Sequence, residues 1–407
     1  MSILPMSTGT RPGALEIPAF ASHQRQDPLA PPGDLLCFSH LRWDFVYQRP
    51  QHLLSQASPH YRIWFWEEPV GDTHAWLEIR ALNSRMCVLV PHLPAGSGQD
   101  AACHLQRGLL NEWLRQQGIT DFIAWYYTPM ALAFTDHLRP RVTVYDCMDE
   151  LAAFQGAPPQ LRQYEKQLIQ RATLVFTGGV SLFEAKQPLH PSVHAFPSSI
   201  DTQHFAQARQ ALADPADQKT LSFPRIGYSG VIDERLDIAL LRKLSQNRPD
   251  WQFVFLGPVV KIDPATLPQG PNLHYLGLKP YDQLPAYFSN WQVALLPFAR
   301  NESTRFISPT KTPEYLAAGL PVVSSPIRDV VRTYGSCGPL RIAETPEAFE
   351  TAIEALLQTR SQTAWNRVDE QLGQQSWQQT WNAMHRLIVA NLPPAPGTPL
   401  RTQALSC

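Results

Sequence analysis

Short apolar runs separated by stretches of helical periodicity recur along this chain, and the alternation happens twice. The first series is Asp34–Phe38, Arg62–Trp66, Met86–Val90, Phe122–Tyr126, Val142–Asp146 and Leu174–Thr177. Between these runs Leu105, Leu109 and Trp113, and later Leu161, Tyr164 and Leu168, fall at helical spacing. After a polar stretch at 206–220 the pattern restarts. Arg225–Ser229 runs into a turn at Gly230, followed by Trp251–Leu256, Asn272–Leu276, Val293–Leu296 and Pro321–Ser324. Strands joined through helices pair in parallel, so each series predicts a doubly wound α/β sheet. Two such domains facing one another make a cleft, and ligands in these sheets sit beyond the carboxyl ends of the strands.

The organisation that follows is a first domain over 34–200 and a second over 201–375. Val193–Ile200, with Pro197, Ser198 and Ser199, reads as an extended connector between them. Trp377, Trp381, Met384 and Ile388 repeat at helical spacing after the second sheet is complete. That stripe, within 376–391, either closes the second domain or crosses back over the first. Residues 1–33 and 392–407 are rich in Pro, Ser, Gly and Gln without periodicity, the composition of disordered tails.

Composition narrows the function. Of 407 residues 44% are hydrophobic, enough for a sizeable core, and a formal charge of -1 gives no electrostatic footprint for nucleic acid. The six cysteines (37, 87, 103, 147, 337 and 407) show neither metal-ligand nor redox spacing, which suits buried thiols in a reducing compartment. No apolar run approaches membrane-spanning length. The expectation is a soluble cytoplasmic protein, with peripheral contact at the inner membrane face left open.

The most informative stretch runs from Ser308 to Pro326, a loop, a short helix, a stop at Gly319 and Pro321, and a buried strand. Ser308 can cap the helix with Pro309 first, or Thr312 can cap it with Pro313 first. Either start aims free backbone N–H groups at the loop, an anion site to which Lys311 adds a charge. Glu314, one turn in, can accept hydrogen bonds from two neighbouring hydroxyls, as on a ribose. A phosphate site beside a diol-binding carboxylate describes a nucleotide, although a plain capped helix would carry the same residues for dipole reasons alone.

Three stretches carry a resemblance to a known family. They are Gln48-Arg-Pro-Gln-His52 within 43–54, Tyr228-Ser-Gly-Val-Ile-Asp-Glu-Arg-Leu-Asp237, and 308–324 with Pro309-Thr-Lys-Thr-Pro-Glu-Tyr-Leu-Ala-Ala-Gly-Leu-Pro-Val-Val323. Together they resemble the retaining glycosyltransferases of the two-domain GT-B type, family 4, and the first resembles a subgroup of bacterial polysaccharide transferases. The resemblance spans roughly 34–390. It implies that Glu314 holds the ribose of a nucleotide sugar, that Arg235 and Lys311 face its diphosphate, and that Gly230 lets the backbone approach. It places Ser308, Pro309 and Thr310 at the donor, Leu278 at the base, and His40 in a catalytic role. Pro197–Phe205 becomes the hinge, and the tryptophan helix becomes a crossover to the first domain. Arg49, Asp146 and Asp149 are candidates for the acceptor side, with a structural role as the alternative: Arg49 can cap or pack at its helix start, and the two aspartates follow a strand towards the cleft.

The activity implied is transfer of a sugar from a UDP- or GDP-sugar to a carbohydrate, lipid-linked or small-molecule acceptor, with retention of configuration. The nucleotide sugar is a substrate, and no cofactor is expected. No metal is expected either, since Asp-x-Asp is missing from the sequence and cations can carry the leaving charge. Two positions depart from the family pattern. Phe306 stands where a donor-contacting glutamate is common, so that Glu302 or Asn301 reaches the sugar or its recognition differs. Ser198-Ser199 replaces a frequent Asn-Gly in the hinge. A nucleotide-sugar epimerase of similar architecture and a non-catalytic relative are the alternatives.

Overall fold

The computed structural model describes residues 33–358 and 362–393. All but residues 33, 392 and 393 of the two expected tails lie outside the described residues. The first domain is built on β1 (Gly33–Phe38), β2 (Tyr61–Trp66), β3 (Val70–Asp72), β4 (Trp76–Asn83), β5 (Met86–Pro94), β6 (Phe122–Tyr126), β7 (Val142–Cys147), β8 (Leu174–Thr177) and β9 (Val193–Ala195). Their order is β3-β5-β2-β1-β6-β7-β8-β9, with β4 also paired to β5. The central strands are buried on both faces, which is why they read as unbroken apolar runs. Leu36 pairs in parallel register with Trp64 on one side and Ala124 on the other.

One strand breaks the parallel expectation. β4 runs antiparallel to β5 because only Ser84 and Arg85 join them, too short a connection for a crossover. Glu78 and Arg80, lying within an otherwise apolar stretch, hide that edge strand from a search for apolar runs.

The second domain is a parallel sheet of β10 (Arg225–Ser229), β11 (Gln252–Leu256), β12 (Leu273–Tyr275), β13 (Val293–Leu296), β14 (Val322–Ser324) and β15 (Leu340–Ile342). Its order is β12-β11-β10-β13-β14-β15, so the winding reverses between β10 and β13. A crevice opens at such a reversal beyond the strand ends. Here it receives the turn at Gly230 and the long loop that leads from β13 into the 308–326 stretch.

The helix Trp377–Ala390 settles the choice left open by its stripe. Trp377, Trp381, Met384 and Ile388 are buried in the first domain's core with Leu53, Leu54, Ile63 and Trp125. Ser376 caps this helix by accepting from the Gln379 amide, and Thr380 meets Ser199 of the connector, hydroxyl to hydroxyl, at 2.6 Å. The chain thus returns from the second domain to the first. Among the described residues no helix is long and apolar enough to cross a membrane.

Candidate active site at the domain cleft

The 308–326 stretch forms the helix Lys311–Ala317 with Thr310 at its cap position and no side-chain capping bond. Both starts expected from the sequence are therefore displaced. The Pro309 carbonyl takes the Thr312 amide at 3.1 Å, and Pro313 sits in the first turn, where a missing N–H lacks an intrahelical partner anyway. Gly319 ends the helix at φ +78°, a left-handed conformation that glycine adopts without strain. Tyr315 accepts the Ser229 amide on its hydroxyl at 2.7 Å, which fixes this helix against the carboxyl end of β10.

Three strand-end turns meet beside it. The Gly230 amide donates to the Leu256 carbonyl at 2.8 Å and the Gly257 amide to the Gly277 carbonyl at 2.9 Å. A β-carbon on Gly257 would lie 1.9 Å from the Gly230 carbonyl oxygen, so this close approach requires glycine. Leu278, the expected base contact, projects from these turns with 47% of its surface exposed.

Glu314 is buried at 7% exposure and accepts from Lys311 Nζ at 2.9 Å. Around this pair stand two enclosed hydroxyls without a hydrogen-bond partner, Thr312 Oγ1 and Tyr281 Oη. Burial, then the charges of Glu314 and Asp201, push the Tyr281 phenol well up, so it remains a donor. The first domain contributes Tyr47, 4.8 Å from the Tyr281 ring, and His52, 5.5 Å from it. His52 also stacks on Trp377 at 4.6 Å, and His204 stacks on the other neighbour, Tyr281, at 4.3 Å. Through this aromatic seam the 43–54 stretch approaches the 308–324 stretch, whose Lys311 and Glu314 charges act on His52 and Tyr281.

Burial, and after it the positive charge of Lys311, lowers His52 to about 3. The unfolded chain takes up this proton near pH 6.5 while the folded protein refuses it, so the stability held above pH 6.5 drains as pH falls towards 3. Between pH 7 and 5 we expect His52→Phe, which keeps a ring on Trp377, to lose roughly 2 kcal/mol less than wild type in urea titrations. Equal losses would place the proton uptake elsewhere.

A second group of charges lies where β7 and β10 end. Arg235 donates from Nε and Nη2 to Asp233, the latter bond at 2.7 Å, and lies 5.4 Å over the ring of Phe154 from the first domain. Asp149 faces this pair; burial raises its carboxyl, with Arg235 pulling the other way and Asp233 adding to the rise. Burial and the charge of Lys261 lower His40 to about 4, against a backbone contact at Tyr127. Its Nδ1 is enclosed and has no partner, which leaves a neutral imidazole at the cleft.

Arg49 and Asp146 do not serve as an acceptor surface. Arg49 holds Asp146 through Nε at 3.0 Å and Nη2 at 2.8 Å, and spends Nη1 on the Phe196 carbonyl at 2.8 Å. Their side chains are 2% and 0% exposed, so the pair ties the helix Arg49–Ala57 to β7 and to the end of β9. A charge this deep is kept with its counterion, and neither side chain has an exposed edge to offer a substrate.

Ser308 and Pro309 line a cavity of about 300 Å³ with Pro197, Ser198 and Ser199 of the connector. Ser308 also touches the turn before the helix Val180–Lys186, where a β-carbon on Gly179 would lie 2.8 Å from Ser308 Cβ. In that contact Asp329 of the second domain accepts the Ser181 amide at 3.0 Å, and Glu184 receives both Arg328 and Arg332. Glu302 is exposed, 3.6 Å from Arg305, at the rim of a cavity of about 550 Å³ shared with Arg162, Lys166 and Lys186. Phe306 packs against the first domain's core, which explains an aromatic at a position where the family pattern has a carboxylate. Among the described residues no cluster of His, Cys, Asp or Glu is placed to hold a metal ion.

Residues 225–359 match the family model described as glycosyl transferases group 1. This chain has the GT-B fold, and its second domain matches the group 1 glycosyltransferase model. The matched segment holds Gly230, Arg235, Leu278, Glu302, Lys311 and Glu314. A Bacillus subtilis (strain 168) protein, TuaH, named as a teichuronic acid biosynthesis glycosyltransferase, is 24% identical over 220 residues, 49% of this chain. The matched part spans about half, 54%, of that relative's length. In three dimensions the chain is similar to sucrose-phosphate synthase from Thermosynechococcus elongatus, at 13% identity and TM-score 0.67, covering 88% of this chain and 98% of that one. An E. coli trehalose-6-phosphate protein bound with UDP-2-fluoro glucose aligns at 12% identity and TM-score 0.64, covering 89% and 100%. The catalytic domain of starch synthase IV from Arabidopsis thaliana, bound to ADP and acarbose, aligns at 9% identity and TM-score 0.60, again covering 89% and 100%.

Sequence reasoning missed Tyr281, Phe154, Lys261 and Asp329. Pro280-Tyr281 at a helix start was a usable signal for the first; the others belong to loops and a helix with no motif.

Proposed function

We propose that this protein moves a sugar from a nucleotide-diphosphate donor, a UDP- or GDP-sugar, to a carbohydrate, lipid-linked or small-molecule acceptor. Configuration at the anomeric carbon is retained, and no divalent metal takes part. The observation that carries this reading is the part-buried Lys311–Glu314 pair at the amino end of the 311–317 helix, 2.9 Å apart, beside three strand-end turns. A ribose diol arriving at Glu314 can replace the ammonium, and the released Lys311 then reaches the phosphates.

Cleaving the sugar–phosphate bond puts positive charge on the anomeric carbon and negative charge on the departing diphosphate. The lysine, at the positive end of the helix dipole, stabilises that charge more in the transition state than in the ground state. Placing the fixed charges before the reaction avoids reorganising solvent around the leaving group. On the other wall His40, neutral near pH 7, and Asp149 are the polar groups available to an acceptor hydroxyl. Retention is compatible with a leaving phosphate that takes the acceptor's proton on the face it departs from. Support comes from the two structural neighbours that hold UDP-2-fluoro glucose and ADP, and from TuaH for a role in polysaccharide biosynthesis.

The test is turnover of UDP- and GDP-sugars with an acceptor panel, with and without EDTA, and NMR of the anomeric proton in the product. Undiminished transfer in EDTA with the donor's configuration is the expected result. Inversion, or activity abolished by EDTA and restored by a divalent ion, would overturn the mechanism. Conversion of the donor with no acceptor present would point to an epimerase.

A further inference from the structure

The chemistry proposed above needs cations at the diphosphate, and each of the two expected ones must first leave a carboxylate to reach it. Arg235 is held by Asp233 through two nitrogens, and Lys311 lies on Glu314. Lys261, in the loop after β11, makes no ion pair or hydrogen bond with the described residues. We propose that Lys261 is the residue that binds the diphosphate of the donor directly, ahead of Arg235. This rests on the donor reading and names a binding residue within it.

Its placement is fixed by the backbone. The loop from Gly257 to Lys261 lies along the Gly230 turn: the Ile232 amide donates to the Pro258 carbonyl at 2.9 Å, and the Val260 amide returns to the Ile232 carbonyl at 3.0 Å. Together with the close approach of Gly257 to Gly230, these bonds set Lys261 at the mouth of the strand-end turns, where an anion would lie. Lys261 has φ +61°, the one positive value for a non-glycine among the described residues. An L-residue with a long side chain is unfavourable there, and such positions persist where surrounding bonds enforce them and function uses them.

The side chain points across the cleft. Lys261 Nζ lies 5.0 Å from the Phe154 ring centroid, and the Arg235 guanidinium lies 5.4 Å from the same centroid. Two cations from neighbouring turns therefore converge on one aromatic of the opposite domain. Arg235 has its carboxylate at bonding distance. Lys261 is held by the ring face, a weak contact that a phosphate displaces readily. Its charge reaches His40, Glu68 and Asp149, all on the first domain's wall, so the ammonium sits between the two domains. An ammonium with three rotatable donors and no partner is suited to a phosphate group whose geometry changes as its bond breaks.

The experiment compares UDP and GDP with UMP and GMP in thermal-shift and calorimetric titrations of the full chain. Wild type, Lys261→Ala, Lys261→Arg and Lys261→Gly are measured side by side. We expect Lys261→Ala to weaken the diphosphate about tenfold or more, leave the monophosphate within about twofold, and regain most of the loss as Lys261→Arg. Lys261→Gly relieves the positive φ, so without nucleotide it melts no lower than wild type, yet it loses the diphosphate preference as Ala does. That separates a lost charge from a damaged fold. Equal weakening of mono- and diphosphates, or no weakening, in a wild type that does bind would overturn the role of Lys261 alone. A wild type that binds no nucleotide diphosphate would overturn the donor reading, and Lys261 with it.

Discussion

Asp146→Ala is expected to destabilise the protein by about 3–5 kcal/mol, seen as a large fall in the urea midpoint. The substitution leaves the Arg49 guanidinium at 1% exposure with its Nε and Nη2 donors unpaired and only the Phe196 carbonyl on Nη1. Desolvating that charge without its counterion is what costs the energy. Arg49→Met leaves the converse problem, a carboxylate at 0% exposure, and should fall in the same range. The double variant Arg49→Met with Asp146→Leu removes both charges together and should recover a large part of the loss. A role in acceptor binding would instead raise the acceptor KM and leave the midpoint in place. Since this pair joins the Arg49–Ala57 helix to β7 and Phe196, the damage should also reach the connector between the domains.

Glu314→Gln is expected to lower kcat/KM for the donor by about a hundredfold or more while shifting the urea midpoint little. The amide keeps one acceptor oxygen but loses the charge that orders two hydroxyls and holds Lys311. Stability changes little because Lys311 is 17% exposed on a flexible stem and can turn to water. Steady-state kinetics with the donor varied would show it. A variant with wild-type kinetics would mean that Glu314 serves only as a partner for Lys311.

Much of the scaffold was legible because its strands are buried on both faces. Phe122–Tyr126, Leu174–Thr177 and Val293–Leu296 appear in the structure with the bounds their apolar runs suggest. The stripe of Trp377, Trp381, Met384 and Ile388 showed a buried face, and the resemblance, rather than periodicity, chose the domain it covers. What could not be read is what depends on residues far apart in the chain. Arg49 and Asp146 are 97 positions apart, and either one alone looks like a polar residue at an element's end. Lys261 shows nothing in sequence because its signals are a backbone angle and a ring supplied by another domain. The start of the 311–317 helix was misjudged because each of two prolines is allowed at a first position, and the structure uses neither there. β4 was lost to its own charges. Glu314 and Lys311 read in sequence as separate contacts, to a ribose and to a phosphate, and the structure pairs them with each other.

The central claim is that the amino end of the 311–317 helix, with Glu314, is a nucleotide site. The most direct measurement is a thermal-shift panel of UDP, GDP, ADP and TDP with their common sugars, on wild type and on Glu314→Ala. A ligand that binds only the folded state raises the melting temperature. The account predicts stabilisation of wild type by one base in preference to the others, and its loss in the variant. Stabilisation that survives unchanged in Glu314→Ala, or no response of wild type to any nucleotide, would contradict it.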